Sequence, residues 1–152
     1  MASNPPAAAP TSPNVAPRDS REIRVRFTGF DFRRTQAGQS SAEVTLEMDG
    51  ALHHGRSSGP SSPLGDLRIS AEACINALAG FVGAGHFELM AVKHIRAFDS
   101  NLAIVSISHR QGQTMYPLVG CYLAQDDVCR GAAIAVLHAT NRVMNVAEPR
   151  ME

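Results

Sequence analysis

Hydrophobic and polar residues alternate along short stretches of the chain, which is the pattern of a strand with one buried face. Such alternation runs over residues 23–27 and again over residues 43–48. The Asp49-Gly50 dipeptide that follows is a strong hairpin signal, so a third strand is expected over 51–56. The Gly- and Ser-rich residues 57–62 are then expected to form a loop.

After this loop the hydrophobic period changes to that of a helix. Apolar residues recur at three- and four-residue steps over 64–82, the spacing of one helix face. Ser62 is a candidate N-cap, Pro63 suits the first helical position, and Asp66 lies where the helix dipole favours a carboxylate. We expect the helix to end near the glycines of 80–85.

The second half of the chain repeats this order of elements. Its predicted strands and helix cover 87–95, 102–108, 115–123 and 127–144. We expect Asp126 to cap the helix, with Ala132 on its buried face and Arg130 on its exposed face. At an offset of 61 residues Val44 aligns with Val105, and the same offset aligns Asp66 with Asp127 and Ala71 with Ala132.

This repeat predicts an α+β fold of duplicated βββα units packed about a pseudo-twofold axis. A three-stranded sheet with one helix has a face that it cannot cover alone, whereas two such units cover each other. The units are expected over about 21–84 and 85–147, which together form the domain 21–147. Residues 1–20 are rich in Pro, Ala and Ser without apolar periodicity, and we predict that they form a disordered tail.

The composition of the chain indicates which kinds of partner it binds and in which compartment it lies. Lys plus Arg and Asp plus Glu both number 14, so no net charge attracts nucleic acid, and we expect none to bind. The chain has neither a signal-peptide pattern nor an apolar run of 18 residues, so we expect a cytoplasmic protein that does not bind membranes. The three cysteines, Cys74, Cys121 and Cys129, have no CxxC spacing and are expected to be reduced and half-buried in the core.

Few residues are spaced for catalysis or metal binding. His53 and His54 are neighbours on a predicted strand and therefore point to opposite faces, which disfavours a shared metal ion. No nucleophile elbow or Ser–His–acid signature occurs, so we expect a protein that is not an enzyme and carries no cofactor. The segment from Gly55 to Gly59-Pro60 precedes a helix, so it is either a flexible connection or a place where backbone N–H groups hold an anion.

The segments FDSNLAIVSI and LVGCYLAQDDVCRGAAIAVLHATNRVM in the second half carry a resemblance to a known family. They resemble the C-terminal allosteric, or dimerisation, domain of 2-isopropylmalate synthases. The matching positions of the second unit are Gly120, Asp127, Ala132, Ala135 and Asn141. In the first unit, Gly55, Gly59-Pro60 and the helix sequence AEACINAL are similar to the entry into the first helix of that family. The resemblance covers residues 22–146.

The resemblance implies a non-catalytic regulatory module that holds a small effector near the helix starts and forms a homo-oligomer. The effector would be a branched-chain amino acid or a small carboxylate. The implied ligand-binding residues are Gly55, Gly59, Pro60, Asp66, Gly120 and Asp127. The catalytic barrel of the family is not part of this sequence, so synthase activity is not expected. A structural or adaptor protein that self-associates through the same fold without a ligand is the alternative.

Overall fold

The computed structural model describes residues 24–146, and the predicted tail of residues 1–20 lies outside them. The elements are β1 (Arg26–Arg34), β2 (Gln39–Met48), β3 (Ala51–Pro60), α1 (Pro63–Val82), β4 (Phe87–Ala97), β5 (Ser100–Gln111), β6 (Thr114–Ala124) and α2 (Val128–Val146). The strands form two antiparallel sheets, ordered β1-β2-β3 and β4-β5-β6. This arrangement confirms the predicted α+β fold of duplicated βββα units.

The two units share an irregularity in their first strand pair. The register of β1 against β2 shifts between Phe27 and Gly29, and that of β4 against β5 shifts between Leu89 and Ala91. An extra residue of this kind bends a strand and increases its twist. The shifts fall at equivalent places, so the duplication extends beyond the hydrophobic pattern to details of the backbone.

Each helix lies on the inner face of its own sheet and also contacts the other helix. In addition, α1 contacts β4 and α2 contacts β1. Such contacts between the helix of one unit and the sheet of the other are expected for two units that cover each other. The middle strands and the helices supply the fully buried core, which includes Val44, Leu46, Leu78, Val105, Ile107 and Val136. No helix in the described part of the chain is long and apolar enough to cross a membrane.

Close approach of helix and sheet depends on one glycine in the third strand of each unit, Gly55 or Gly120. A Cβ atom at either position would overlap the backbone of the helix above it. The helix residues concerned are Ala73 and Ala77 in α1, and Ala135 and Ala139 in α2. Only a residue without a side chain allows this approach, so these two glycines set the distance between helix and sheet.

The same contacts correct the predicted alignment of the helices. The residue equivalent to Ala73 is Ala135, an offset of 62 residues, so the predicted helix offset of 61 is wrong by one residue. The buried positions of the two helices also match at an offset of 62 residues, as Leu78 and Thr140 show. Asp66 is therefore equivalent to Val128 in the second helix and not to Asp127.

The third strand of the first unit is longer than predicted. Its last residues pair with the start of β2, as Gly59 pairs with Ser40 and Pro60 with Gln39. The predicted loop over 57–62 is therefore wrong as far as Pro60, because β2 offers ladder partners that the polar sequence does not reveal.

The helix starts are partly as predicted. Ser62 is the N-cap of α1, where its Oγ accepts a hydrogen bond from the Gly65 N–H at 2.8 Å, and this prediction is confirmed. The predicted cap Asp126 is wrong, because Asp127 Oδ1 accepts the Arg130 N–H at 3.1 Å and α2 begins one residue later.

The predicted helix faces are confirmed in part. Leu64, the first residue of the predicted apolar face of α1, is exposed. On α2 the predicted faces are confirmed: Ala132 is buried and Arg130 is exposed.

Candidate functional site

A cavity of about 420 Å³ lies where the starts of the two helices come together, and we call it the junction cavity. Its lining includes Arg34, Ser61, Asp66, His94, Val128 and Cys129. These residues come from β1, the loop before α1, the first turn of α1, β4 and the first turn of α2. Both units therefore build the cavity, and the positive ends of two helix dipoles face it.

Asp66 is buried beside this cavity and both of its carboxylate oxygens are hydrogen-bonded. Arg34 donates to Oδ2 from Nε at 3.0 Å and from Nη2 at 2.8 Å. The hydroxyl groups of Ser40 and Ser61 donate to Oδ1 at 2.7 Å and 3.2 Å. Burial alone would raise the pKa of Asp66, but the hydrogen bonds from Ser40, Arg34 and Ser61 and the charge of Arg34 lower it below its ordinary value. Asp66 is therefore a buried carboxylate that stays ionised.

The consequence of this network is a fixed arginine at the cavity. The Arg34 side chain is 61% exposed although Asp66 holds two of its nitrogens. The guanidinium carbon also lies 5.1 Å from the centre of the Phe32 ring, which supports the other side of the group. Nη1 forms no hydrogen bond among residues 24–146, so a positioned cationic donor remains available to an anion.

The remaining walls of the cavity are partly apolar. Leu67, Pro63 and Val128 line it together with the polar residues. His94 lies on β4, where its Nε2 is 2.8 Å from the side-chain oxygen of Asn101. An anionic head beside Arg34 and an apolar body against these walls is the ligand shape that the lining accommodates.

Among residues 24–146, Cys129 is the cysteine that lines the junction cavity. Burial raises the pKa of its thiol; a hydrogen bond with Ser70 lowers it, and the negative charge of Asp66 raises it again. The net rise keeps the sulfur protonated at neutral pH, whereas nucleophilic cysteines have a lowered pKa. Cys129 therefore acts as a wall of the cavity rather than as a reactive group.

The six residues that the resemblance implied for ligand binding lie in different places. Asp66 lines the junction cavity, and Asp127 immediately precedes the cavity residue Val128. Gly59 and Pro60 lie at the end of β3, two residues before the helix cap. Gly55 and Gly120 pack against the helices, as described above, so the structure gives them a packing role and does not bring them to the cavity.

Sequence reasoning missed the residues that surround Asp66. Arg34 and Ser40 precede it by 32 and 26 positions, and His94 belongs to the other unit. The arginine pair at the end of an alternating strand was the one available signal for Arg34. Nothing in the residue pattern joins that strand end to a helix start, because only the packing of the elements brings them together.

Known proteins provide no further guide to this site. No protein family matches the chain, and no curated protein matches it either. The case for a function therefore rests on the geometry of the junction cavity, and the likeness to the allosteric domain of 2-isopropylmalate synthases stays a resemblance of short motifs.

Proposed function

We propose that this protein is a non-catalytic regulatory module that binds a small carboxylate, such as a branched-chain amino acid, in the junction cavity. The observation that supports this most directly is Arg34, which buried Asp66 holds in a fixed orientation while its guanidinium stays exposed. A preorganised donor of this kind loses little conformational entropy when a carboxylate binds. The resemblance to an allosteric domain points to the same class of ligand.

The position of the cavity suggests how binding would be sensed. Arg34 and Asp66 belong to the first unit, whereas His94 and Val128 belong to the second. A ligand that contacts both units favours the arrangement in which they are correctly docked. Binding would then shift the population toward that arrangement, which is how a regulatory module transmits a signal.

The proposal is tested by thermal unfolding and calorimetry with leucine, isoleucine, valine and small carboxylates. A ligand present at 100 times its dissociation constant stabilises the fold by about 2.7 kcal/mol, which is easily measured. Arg34→Ala should abolish this stabilisation. Arg33→Ala is the matched control, because Arg33 points to the other side of β1 and pairs with Asp31. The proposal would be contradicted if none of these ligands stabilised the fold, or if Arg34→Ala left the stabilisation unchanged.

The alternative, a self-associating structural or adaptor protein, is favoured by a different observation. The outer face of the β4-β5-β6 sheet carries several exposed aliphatic side chains, and Val119 and Leu123 on it are 66% and 46% exposed. Ile95 pairs with Leu102, which pairs with Leu123, so aliphatic side chains form a row across three strands. Contiguous apolar patches on a surface mark interaction sites. We call this surface the apolar face.

A second copy of this chain is the occupant that we propose for the apolar face. Three strands about 4.8 Å apart and 11 or 12 residues long give a flat area of roughly 500 Å². Because side chains project from the sheet, the accessible area is larger than this flat area. It approaches the roughly 600 Å² per partner at the lower end of specific interfaces. Glu88 and Lys93 both lie on β4 and on this side of the sheet, so a twofold pairing can place opposite charges across the contact.

Association is tested by analytical ultracentrifugation of matched variants. Leu123→Glu should shift the protein to monomer, since it places a charge within the apolar face. Ser58→Glu is the control, because Ser58 occupies the equivalent place on the first sheet and is exposed there. A wild-type chain that is monomeric at high concentration would contradict the alternative, and so would equal effects of the two variants.

A further inference from the structure

A second cavity, of about 610 Å³, lies at the turn of the β5–β6 hairpin against the last turns of α2, and we call it the hairpin cavity. Its basic and aromatic lining residues are His86, His109, Arg110, Tyr116 and Arg142. The rest of the lining is uncharged and includes Leu118 and Val143, with no aspartate or glutamate among the described residues that line it. The volume lies within the range of small-molecule pockets. Val128 and Arg142 are 14 positions apart on α2, so the helix rise separates the hairpin cavity from the junction cavity by roughly 20 Å.

The basic and aromatic side chains of the hairpin cavity have no hydrogen-bond or ion-pair partner in the part of the chain that the structure describes. The two guanidinium groups and the Tyr116 hydroxyl form no hydrogen bond or ion pair there, and neither do the two imidazoles. By contrast, Arg26 in the first unit is paired with Glu47 at 3.0 Å. Two unpaired arginines on one cavity form a site of positive charge without a compensating carboxylate.

Aromatic rings form part of the cavity wall, and the Tyr116 ring is tilted by 36° against that of His109. His109 is buried and stacks on Phe87 with ring centres 5.1 Å apart, and the Tyr116 ring lies 6.5 Å from His109. Burial lowers the pKa of His109 and the neighbouring His86 lowers it further, so the His109 ring is uncharged at neutral pH. A neutral imidazole beside a phenol ring is a surface on which a planar group can stack.

The first unit shows that the fold does not require these residues. At the places equivalent to His109, Tyr116 and Arg142 it has Met48, Ala51 and Gly80. Its hairpin also ends there, whereas the second hairpin continues through two further pairs, Arg110 with Met115 and Gln111 with Thr114. The same architecture forms with either set of residues, so the fold as such does not require the basic and aromatic set.

We propose that the hairpin cavity binds a small organic anion with a planar body, held by Arg110 and Arg142 and stacked beside Tyr116. Guanidinium groups bind carboxylate and phosphate through two parallel hydrogen bonds, so either anionic group suits the site. The apolar residues Leu118 and Val143 contact the body of the ligand. This site is separate from the junction cavity and does not depend on the function proposed there.

The test is an NMR titration of the full chain, in which amide shifts locate the bound probe. The probes are inorganic phosphate, benzoate and adenosine monophosphate, which compare an anion without a planar body with two anions that have one. Benzoate or adenosine monophosphate should shift amides around Arg110, Tyr116 and Arg142. Inorganic phosphate alone should bind at least tenfold more weakly than the better planar probe.

Variants then separate charge from stacking. Arg110→Ala and Arg142→Ala should each weaken binding of the planar probe about tenfold, and Tyr116→Ala should weaken it without changing the response to phosphate. Arg56→Ala is the control, because Arg56 is an exposed arginine on the first sheet. The amide spectrum of each variant shows directly that it is folded. The proposal is overturned if no probe shifts these amides at millimolar concentration, or if the shifts persist in the double arginine variant. It is also overturned if phosphate binds as tightly as the planar probes.

The same titration keeps this proposal apart from the one for the junction cavity. Arg34→Ala should leave binding at the hairpin cavity unchanged while it removes any carboxylate response at the junction cavity. Shifts in the hairpin cavity that vanish with Arg34→Ala would overturn the inference of an independent site.

Discussion

On the outer face of the first sheet, Glu43 pairs with Arg56 across β2 and β3, with 3.4 Å between the Oε2 and Nε atoms. At the equivalent positions of the second sheet stand Ile104 and Cys121, which are neighbours in the β5–β6 ladder. The contrast continues along both sheets. Charged or polar residues on the first sheet (Asp31, Arg33, Ser41, Thr45, His54 and Ser58) correspond to Lys93, Ile95, Leu102, Ser106, Val119 and Leu123 on the second.

This difference shows which surface the fold uses. The inner faces of the two sheets are alike, since Val44 and Val105 are both fully buried under a helix. The outer faces contribute little to folding, because exposed ion pairs such as Arg33 with Asp31 stabilise by about 0–1 kcal/mol at most. The outer faces were therefore free to differ, the first carrying charged and polar residues and the second several aliphatic ones.

The largest expected effect tests whether the inner faces are equivalent. Gly55→Ala and Gly120→Ala should each lower the free energy of unfolding by about 3 kcal/mol, because a Cβ atom would overlap helix backbone that cannot move aside. Gly59→Ala is the control, since its Cβ would lie 3.6 Å from Ile69 Cδ1, an ordinary contact. Urea denaturation measures all three. If Gly120→Ala were as mild as Gly59→Ala, the close packing of α2 on its sheet would be refuted.

A smaller effect concerns a charge that only the first unit has. Asp66→Asn should lower the free energy of unfolding by about 1–3 kcal/mol, because it weakens the bonds to Arg34, Ser40 and Ser61. Since folding lowers the pKa of Asp66, its contribution is complete above the ordinary value of 3.8 and is lost as the pH falls through the folded-state value.

Unfolding midpoints measured from pH 7 to pH 2 check this prediction. The wild type should lose stability below about pH 4, and Asp66→Asn should lose less over the same range. Asp126→Asn serves as the control, because Asp126 is an exposed carboxylate that neither caps α2 nor lines the junction cavity. Parallel acid curves for wild type and Asp66→Asn would show that Asp66 is not the stabilising carboxylate.

The difference between the two outer faces can also be removed by placing residues of the first sheet on the second. Ile104→Glu with Cys121→Arg places the ion pair of the first sheet on the second. We expect the free energy of unfolding to change by no more than about 1 kcal/mol, because the outer face is not part of the core. The same change should abolish self-association in ultracentrifugation. A severe loss of stability in the monomer would mean that the apolar face belongs to the fold.

The smallest effect is chemical and distinguishes the cysteines. Cys121 is exposed on the apolar face, against the expectation of half-buried core thiols, whereas Cys74 and Cys129 are buried. Burial also raises the pKa of Cys74 and Cys129, so a thiol reagent should modify one cysteine of the three in the native protein. Mass spectrometry identifies the site, and modification of Cys121 should slow severalfold at concentrations where the chain associates. A rate independent of concentration would place Cys121 outside any interface.

Much of the architecture follows from short-range signals. The Ser62-Pro63 cap, the period-two alternation of β2 and the Asp49-Gly50 hairpin turn all act within a few residues, so sequence patterns reveal them. The end of β3 was not predicted, because Ser58 and Gly59 have no strand-like alternation and depend on a ladder partner in β2. The offset between the helices was predicted wrongly because their small residues fit several alignments, and only contact with a glycine selects one.

The candidate sites were less accessible to sequence. Asp66 was identified from its place in the first helical turn, but its partner Arg34 could not be, since the two lie 32 positions apart. The hairpin cavity was not foreseen at all. Arg110 and Arg142 are common surface residues in sequence, and only the extra length of one hairpin brings them to a shared cavity.

The sequence by itself determined the type, order and repetition of the elements, because periodicity, caps and turn residues act through local backbone geometry. It misplaced the first strand, which covers Arg26–Arg34 and not residues 23–27. The tertiary structure decided which polar residues meet and which apolar residues remain outside. The apolar strand residues Ile107 and Ile104 look alike in sequence, yet one is buried under α2 and the other faces outward. That distinction depends on the side of the sheet to which each residue points and on what packs there, and neither is a local property of the chain.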